Sequence, residues 1–275
     1  DGAYHSFKSY LKYFNKDQMI LHFHHNGVSD MHTDATYNRF IGVSKFVTDN
    51  FKNTSTIEKC DVLKNGVDIA RFDKKISPKD KMNIRQSLGF KDDDFIVMFC
   101  GRLIPEKGVL ELIQAINKIK NHKIKLMIVG SINFGKKKTS DYVKKIDKLV
   151  KESKGRIKTT GFINNSDLYK YYKSADLGVI PSMWEDAAPL VTIEIMSSGL
   201  PLIITKTGGA PEYVSEDTII VPKDEKVSNH LKKAIEYLYE NEDVRNKMKK
   251  SGIETSKNYT TERFYLDFVN LFLKK

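Results

Sequence analysis

The chain has 275 residues, of which 40% are hydrophobic and 11% aromatic, so it can bury a substantial core and is not a disordered protein. Its 46 basic and 35 acidic side chains give a formal net charge of +11, which favours anionic partners such as phosphorylated small molecules, nucleic acid or an acidic membrane surface. Two cysteines exclude a disulfide scaffold and a CxxC zinc knuckle, and no apolar stretch reaches the ~18 residues of a membrane helix.

The first 90 residues contain few segments that favour a sheet. Strand-like runs occupy Met19–Phe23 and Phe40–Val43, the second run precedes a short helical pattern in SKFVTDNF, and a third run turns at KNGVD. Since this is too little sheet for an independent α/β domain, we expect the end of a Rossmann-type domain whose first half lies outside the chain. The polar segment ISPKDKMNIRQSLGFKDDD is predicted to connect it to the next domain.

From residue 95 onward, short apolar runs alternate with amphipathic segments, a pattern that predicts a parallel sheet buried on both faces. Right-handed crossovers would make this a doubly wound, Rossmann-like domain over roughly residues 90–225. The predicted strands are Phe95–Cys100, Ile124–Val129, Ile157–Thr160, Leu177–Pro181, Leu202–Thr205 and Thr218–Val221. The predicted helices are Val109–Ile119, Asp141–Glu152, Asp167–Lys173, Pro189–Ser198, Lys226–Tyr239, Asp243–Lys257 and Thr261–Leu273.

Two basic side chains follow the first strand of this domain. Gly101 allows a tight turn at the strand end, and Arg102 and Lys107 lie in the loop before the next helix. An arginine can fork onto phosphate oxygens and a lysine supplies a point charge. Because ligands of such sheets bind at the carboxyl ends of the strands, this loop is predicted to contact an anionic ligand.

The segment PSMWEDAAPLVTIEIMSSGLPLI predicts a second anion-binding element. Its helix is expected to begin at Pro189, so that the backbone N–H groups of Leu190, Val191 and Thr192 have no partner within the helix. These groups would point into the crevice at the strand ends, with the positive end of the helix dipole behind them.

Two carboxylates belong to the same segment. Asp186 lies just before the helix and Glu194 lies one turn into it. Carboxylates repel phosphate but accept hydrogen bonds from sugar or ribose hydroxyls. The segment therefore favours a ligand that has a phosphate flanked by polyols.

Four motifs in this order resemble the nucleotide-sugar-binding half of family 4 retaining glycosyltransferases, which have the GT-B fold. They are GRLIPEKG, GFINNSDLYKYYKSADLGVIPS, the Asp-x7-Glu span with SSGLPLI, and TKTGGAPEYV. The resemblance covers roughly residues 20–273 and implies one complete Rossmann-like domain plus the end of a second one. We expect residues 1–85 to be the rest of the acceptor-side N-terminal domain and linker, 86–257 the nucleotide-sugar domain, and 258–275 a C-terminal helix.

The resemblance also implies roles for individual residues. Arg102 and Lys107 would hold the donor diphosphate, and Glu194 would hold the nucleoside ribose. Asp186 stands at the first acidic position of the family's E-x7-E motif and would contact the donor sugar. The backbone around Ile163 would border the base.

Two departures from the family pattern concern the sugar side of this site. Aspartate replaces the usual first glutamate, so the neighbouring Glu185 is the alternative residue for that role. Pro189 stands where a glycine is common, which removes one N–H group that could donate to the ligand.

A histidine after an N-domain strand points toward the donor sugar in this family. Within HFHHN, residues 22–26, His24 is our choice for that role and His25 is the second. A zinc site built from His22, His24, His25 and His32 is the disfavoured alternative because no cysteine or acidic partner completes it, so no metal is expected.

The predicted function is transfer of a sugar, with retention, from a nucleoside-diphosphate sugar to a glycan or lipid-linked acceptor. UDP is the default nucleotide, and no obligatory cofactor is expected. The alternatives are a GT-B epimerase or phosphorylase that uses the same crevice, and a basic RNA-binding protein, although the sequence lacks an RNP motif.

We expect a cytoplasmic location, because the first residues show no basic-then-apolar leader. The positive charge is compatible with peripheral contact at the cytoplasmic face of an anionic membrane.

Overall fold

Two parallel β-sheets organise the chain in the computed structural model, which describes residues 20–23, 39–53, 58–131 and 140–273, with backbone alone for 20–23 and 272–273. The first sheet has the order β1-β2-β3, with β2 in the middle. Its strands are β1 (Ile20–Phe23), β2 (Arg39–Gly42) and β3 (Lys59–Val62). Helix α1 (Lys45–Lys52) follows β2 and is capped by Ser44, whose side chain accepts a hydrogen bond from the backbone N–H of Val47.

The second sheet has six parallel strands in the order β6-β5-β4-β7-β8-β9. Its strands are β4 (Phe95–Cys100), β5 (Ile124–Val129), β6 (Ile157–Gly161), β7 (Leu177–Ile180), β8 (Leu202–Thr205) and β9 (Ile219–Val221). Each bound agrees with the predicted strand to within one residue. The predicted Rossmann-like architecture is therefore confirmed for this sheet.

Helices cover both faces of the second sheet. The remaining helices of the described chain are α2 (Pro78–Ser87), α3 (Val109–Lys118), α4 (Asp141–Glu152), α5 (Leu168–Ser174), α6 (Leu190–Ser197), α7 (Val227–Glu240), α8 (Glu242–Ser256) and the C-terminal α9 (Thr261–Leu273). In β4, Phe95, Val97 and Phe99 join an apolar layer with α3, α4 and α7, whereas Ile96 and Met98 join a second layer with α5 and α6. Successive strand residues point to opposite faces, so an apolar run fills both layers.

The strand order creates a topological switch point between β4 and β7. The chain builds β4, β5 and β6 in one direction, then crosses to β7 and continues outward through β8 and β9. The direction in which strands are added to the sheet reverses between β4 and β7, although the two strands are parallel. The chain therefore leaves the carboxyl ends of these strands toward opposite sides. In open α/β sheets, the crevice at this switch point is where ligands bind.

The polar connection between the two sheets is more structured than the sequence indicated. The segment that was predicted to be a connection contains helix α2. The residue before this helix is Ser77, whose hydroxyl oxygen accepts a hydrogen bond of 3.0 Å from the backbone N–H of Asp80. Arg85 in this helix is buried and donates to the Ser174 carbonyl oxygen at 2.9 Å and to the Asp176 carboxylate at 2.7 Å. A buried arginine is stable when its donors are satisfied in this way, so a polar helix packs against the domain.

The two sheets meet through the residues after β8. A 3₁₀ turn, Ala210–Tyr213, brings the Glu212 carboxylate to the start of α1, where it accepts from the backbone N–H groups of Lys45 and Phe46, each at 2.8 Å. The buried Tyr213 hydroxyl donates to the Val43 carbonyl oxygen.

The C-terminal helix α9 also returns to the first part of the chain. The Arg39 guanidinium donates to the Leu271 carbonyl oxygen at 3.1 Å, and Val67 forms a parallel bridge with Thr260. Among the helices described, none combines the length and the apolar character needed to cross a membrane.

Candidate functional site

The loops after β4 and β7 are in direct contact at the switch point. A 3₁₀ turn, Pro105–Lys107, runs into α3 through Gly108, which has a φ of 68°. A Cβ atom at Gly108 would lie 1.7 Å from the Pro181 carbonyl oxygen, so only glycine lets the two loops approach this closely. The Met183 backbone N–H donates to the Glu106 carbonyl oxygen at 2.8 Å and fixes the same contact.

This contact brings together two residues that the sequence analysis assigned to different parts of the ligand. The Lys107 ammonium lies 2.8 and 2.7 Å from the two carboxylate oxygens of Asp186, and the Ser182 hydroxyl donates to the same carboxylate at 2.9 Å. The side chains of Lys107 and Asp186 are only 23% and 20% exposed. The pair is therefore a charge-assisted interaction in a partly shielded crevice.

Glu185, the alternative to Asp186, faces a different partner. Its carboxylate accepts from the backbone N–H of Gly208 and forms an ion pair with Lys223. The acidic residue that lies against Lys107 is therefore Asp186. Glu185 holds the loop that follows β8.

The start of α6 differs from the predicted start by one residue. Pro189 is not the first helical residue but the residue before it, with an extended backbone (φ −72°, ψ 107°). The Thr192 N–H donates to the Pro189 carbonyl oxygen at 3.0 Å, so the prediction that this group is unpaired was wrong. The N–H groups of Leu190 and Val191 have no hydrogen-bond partner in the described part of the chain, and they remain donors at the crevice.

Glu194 lies one turn into α6 and beside α5. Its Oε2 atom accepts a hydrogen bond of 2.8 Å from the hydroxyl of Tyr172, which is fully buried. Burial raises the pKa of Glu194, whereas the Tyr172 hydroxyl and the positive charge of Arg71 act in the lowering direction. The half-buried Glu194 carboxylate is therefore held between α5 and α6. The sequence analysis did not identify Tyr172 as its partner.

The remaining predicted contacts lie at the same edge of the sheet. Arg102 follows β4 and is exposed, without an ion pair or hydrogen bond to another described residue. Ile163 follows β6 and packs partly against the apolar layer of α5 and α6. Both residues therefore follow the carboxyl ends of strands in the second sheet, and the Arg102 side chain is exposed.

The paired glycines of TKTGGAPEYV pack against the backbone of the acidic loop. Gly208 has a φ of 50°, and a Cβ atom there would lie 2.1 Å from the Asp186 carbonyl oxygen. The Gly209 N–H donates to that same oxygen at 2.8 Å. The Gly-Gly pair was the signal in the sequence for a close backbone approach, and its partner is Asp186.

The predicted histidines cannot be placed at this site. His24 and His25 lie outside the described residues, as does His32, and only the backbone of His22 is described. Among the described side chains, no cluster of three or more histidine, cysteine or acidic residues is arranged to hold a metal ion.

Residues 80–255 match the family model of the group 1 glycosyl transferases. An uncharacterized glycosyltransferase of Methanocaldococcus jannaschii is 35% identical over 161 residues, which are 58% of this chain and 40% of that protein. The lipopolysaccharide 1,2-N-acetylglucosaminetransferase of Salmonella typhimurium is 26% identical over 200 residues, which are 72% of this chain and 51% of that protein. The chain thus spans about half the length of the curated relatives it matches.

Solved structures share the fold. The crystal structure of Anabaena HepE in complex with UDP and glucose superposes with a TM-score of 0.79 at 23% identity, over 93% of this chain and 71% of that one. The predicted α/β architecture of GT-B type is confirmed by this likeness.

Proposed function

The chain belongs to the group 1 glycosyl transferases, and we propose that it binds a nucleoside-diphosphate sugar and transfers the sugar to a glycan or lipid-linked acceptor with retention of configuration. The observation that carries this proposal is the group of donors at the switch point. Arg102 and Lys107 follow the carboxyl end of β4, and the N–H groups of Leu190 and Val191 begin the helix that follows β7, so all four lie on the two segments that leave the switch point. This set suits a diphosphate.

The chemistry needs charge stabilisation at the departing group. The bond between the anomeric carbon and the diphosphate oxygen breaks, and negative charge develops on that oxygen. The acceptor hydroxyl forms the new bond from the same face, and its proton passes to the departing diphosphate. Lys107 and Arg102 stabilise the developing charge, and such preorganised groups act most strongly in a water-poor crevice.

Lys107 has to exchange partners when the donor binds. Its ammonium lies against the Asp186 carboxylate. A diphosphate that takes over Lys107 would release the Asp186 carboxylate, which can then accept hydrogen bonds from the donor sugar. Binding of the phosphates would thereby prepare recognition of the sugar.

Glu194 is proposed to accept hydrogen bonds from the ribose, and the backbone at Ile163 to border the base. UDP is the proposed nucleotide, which is supported by the Anabaena relative with its bound UDP and glucose. A glycan or lipid acceptor is supported by the Salmonella relative, which acts on lipopolysaccharide. His24 remains the proposed histidine near the donor sugar, and no metal is proposed.

Calorimetric titration of this chain with UDP, GDP, uridine and inorganic pyrophosphate tests the proposal. UDP should bind far more tightly than uridine, because most of the donors in the crevice act on the phosphates. GDP should bind more weakly than UDP if the base is recognised. Equal affinity for uridine and UDP would contradict a diphosphate site at this edge of the sheet.

A further inference from the structure

Three titratable or charged groups, each from a different element, interact with Glu194. Tyr172 belongs to α5, Cys100 ends β4, and Arg71 ends the 3₁₀ turn Ile69–Arg71. Of these groups, the Tyr172 hydroxyl is the one in hydrogen-bond contact with the Glu194 carboxylate, at 2.8 Å from Oε2. The Oε1 atom has no hydrogen-bond partner among the described residues.

The ring of Tyr172 is held firmly in place. It is fully buried, and it forms a T-shaped pair with the ring of Phe72, with 5.8 Å between the ring centroids. A glutamate side chain has three rotatable bonds, so a donor on a fixed ring restricts the carboxylate much more than solvent would. The hydroxyl of Tyr172 thus sets the orientation of Glu194.

The electrostatics of the site agree with the Tyr172 hydroxyl being the donor of this hydrogen bond and Glu194 the acceptor. Burial raises the pKa of Tyr172 well above its ordinary value, so the phenol keeps its proton and donates. Burial also raises the pKa of Cys100 to about 12, so its thiol is neutral near pH 7. Tyr172 and the charge of Arg71 are therefore what favours the ionised form of Glu194 against its own burial.

We propose that Tyr172 is a positioning residue for nucleotide binding: its hydroxyl holds Oε2 of Glu194 and leaves Oε1 to accept hydrogen bonds from the ribose hydroxyls. The inference rests on the proposed function, in which Glu194 binds the ribose. Tyr172 itself touches no ligand in this scheme. Its effect therefore appears only with ligands that carry ribose hydroxyls.

Tyr172→Phe tests the inference because it keeps the buried ring and removes only the hydroxyl. The affinity for UDP, measured by calorimetry at pH 7, should fall about 5- to 20-fold, as expected for loss of one hydrogen bond to a charged group. The affinity for 2′,3′-dideoxy-UDP should not change. Tyr171→Phe, one residue earlier on the same helix, is the matched control and should change neither affinity.

The pH profile separates positioning from packing. Wild-type UDP affinity should fall as the pH drops through the pKa of Glu194, because the protonated carboxyl accepts poorly. Without the Tyr172 hydroxyl that pKa rises further, so in Tyr172→Phe the fall should begin at a higher pH. A profile that keeps its midpoint in this variant would overturn the inference.

Glu194→Ala distinguishes failure of the inference from failure of the proposed function. If Glu194→Ala binds UDP like the wild type, the ribose role of Glu194 is wrong. If Glu194→Ala weakens UDP binding and Tyr172→Phe does not, only the positioning role is wrong. If Tyr172→Phe does not fold, the double variant Tyr172→Phe/Glu194→Ala replaces it. This double variant removes both partners of the hydrogen bond, so neither group is left buried without a partner. It should bind UDP as Glu194→Ala does, and any further loss would contradict action through Glu194.

Discussion

The Nζ atom of Lys107 lies within 2.8 Å of both carboxylate oxygens of Asp186, although the two residues are 79 positions apart in the chain. The contact exists because Gly108 lets the loop after β4 lie against the end of β7. The cation proposed for the phosphates and the anion proposed for the sugar thus form an ion pair with each other. We expect a phosphate ligand at the proposed site to compete with Asp186 for Lys107, which would lower its affinity.

Asp186→Asn should therefore strengthen the binding of UDP or pyrophosphate, by about 2- to 10-fold, because the variant keeps the shape of the side chain and removes its charge. In the proposed site the Asp186 carboxylate binds the donor sugar and so makes the affinity for a UDP-sugar differ from the affinity for UDP. This difference should disappear in Asp186→Asn. Titration calorimetry with the three ligands measures both effects. If Glu185→Gln gives the stronger phosphate binding and Asp186→Asn does not, the wrong acidic residue has been assigned to the crevice.

Lys107→Ala and Arg102→Ala should each weaken UDP binding by roughly 10- to 100-fold, since each removes a charge-assisted hydrogen bond of about 1.5–3 kcal/mol. Uridine lacks phosphates and should bind both variants as it binds the wild type. Lys170→Ala is a suitable control because Lys170 pairs with Asp167 on the surface of α5. Equal loss of uridine and UDP would indicate damage to the fold, and unchanged UDP affinity would place the phosphates elsewhere.

Four strands of the second sheet, β4, β5, β7 and β8, could be predicted from the sequence because each is a short run of mostly apolar side chains buried on both faces. The edge strands β6 and β9 are less buried. In β4 the run FIVMFC supplies alternate residues to two layers, and both of its bounds match the prediction. The polar helix α2 escaped prediction as an element because its packing depends on Arg85, whose partners at Ser174 and Asp176 lie about 90 residues later. Local patterns cannot reveal such partners.

The positions of the candidate residues in the fold could be predicted, but not their contacts with one another. The helix-end pattern located Asp186 in the loop before α6 and Glu194 within this helix. The start itself was misplaced because Pro189 has the φ of a helical residue and the ψ of an extended one. The contacts of Asp186 with Lys107 and of Glu194 with Tyr172 form between separate segments, so only the assembled sheet shows them.

Glu194→Gln should stabilise the unliganded chain at neutral pH. Burial raises the pKa of Glu194, so the folded state holds the proton more tightly than the unfolded state does. The stabilisation of the folded state by the protonated Glu194 is fully present below the ordinary pKa of glutamate. It is lost as the pH rises through the raised pKa of Glu194. A neutral glutamine avoids this loss and still accepts from Tyr172.

Thermal unfolding of the wild type and Glu194→Gln from pH 4 to pH 8 measures this effect. We expect the Tm of the variant to exceed that of the wild type by about 2–4 °C at pH 7, and the difference to vanish near pH 4. Glu236→Gln, on the surface of α7, is the control and should change the Tm much less. A wild type more stable than Glu194→Gln at pH 7 would mean that Tyr172 and Arg71 outweigh burial.

Glu212→Ala should loosen the junction between the two sheets. The Glu212 carboxylate accepts from the first two N–H groups of α1, where a negative charge also interacts favourably with the helix dipole. Its loss should cost about 1–2 kcal/mol, seen as a Tm decrease of about 2–6 °C, and should speed hydrogen exchange at the amides of Lys45 and Phe46. UDP affinity should change little, because the crevice between β4 and β7 remains intact. Glu216→Ala, at an exposed position in the next turn, is the control. If the two variants change the Tm and the hydrogen exchange equally, the contact of Glu212 with the start of α1 does not hold the sheets together in solution.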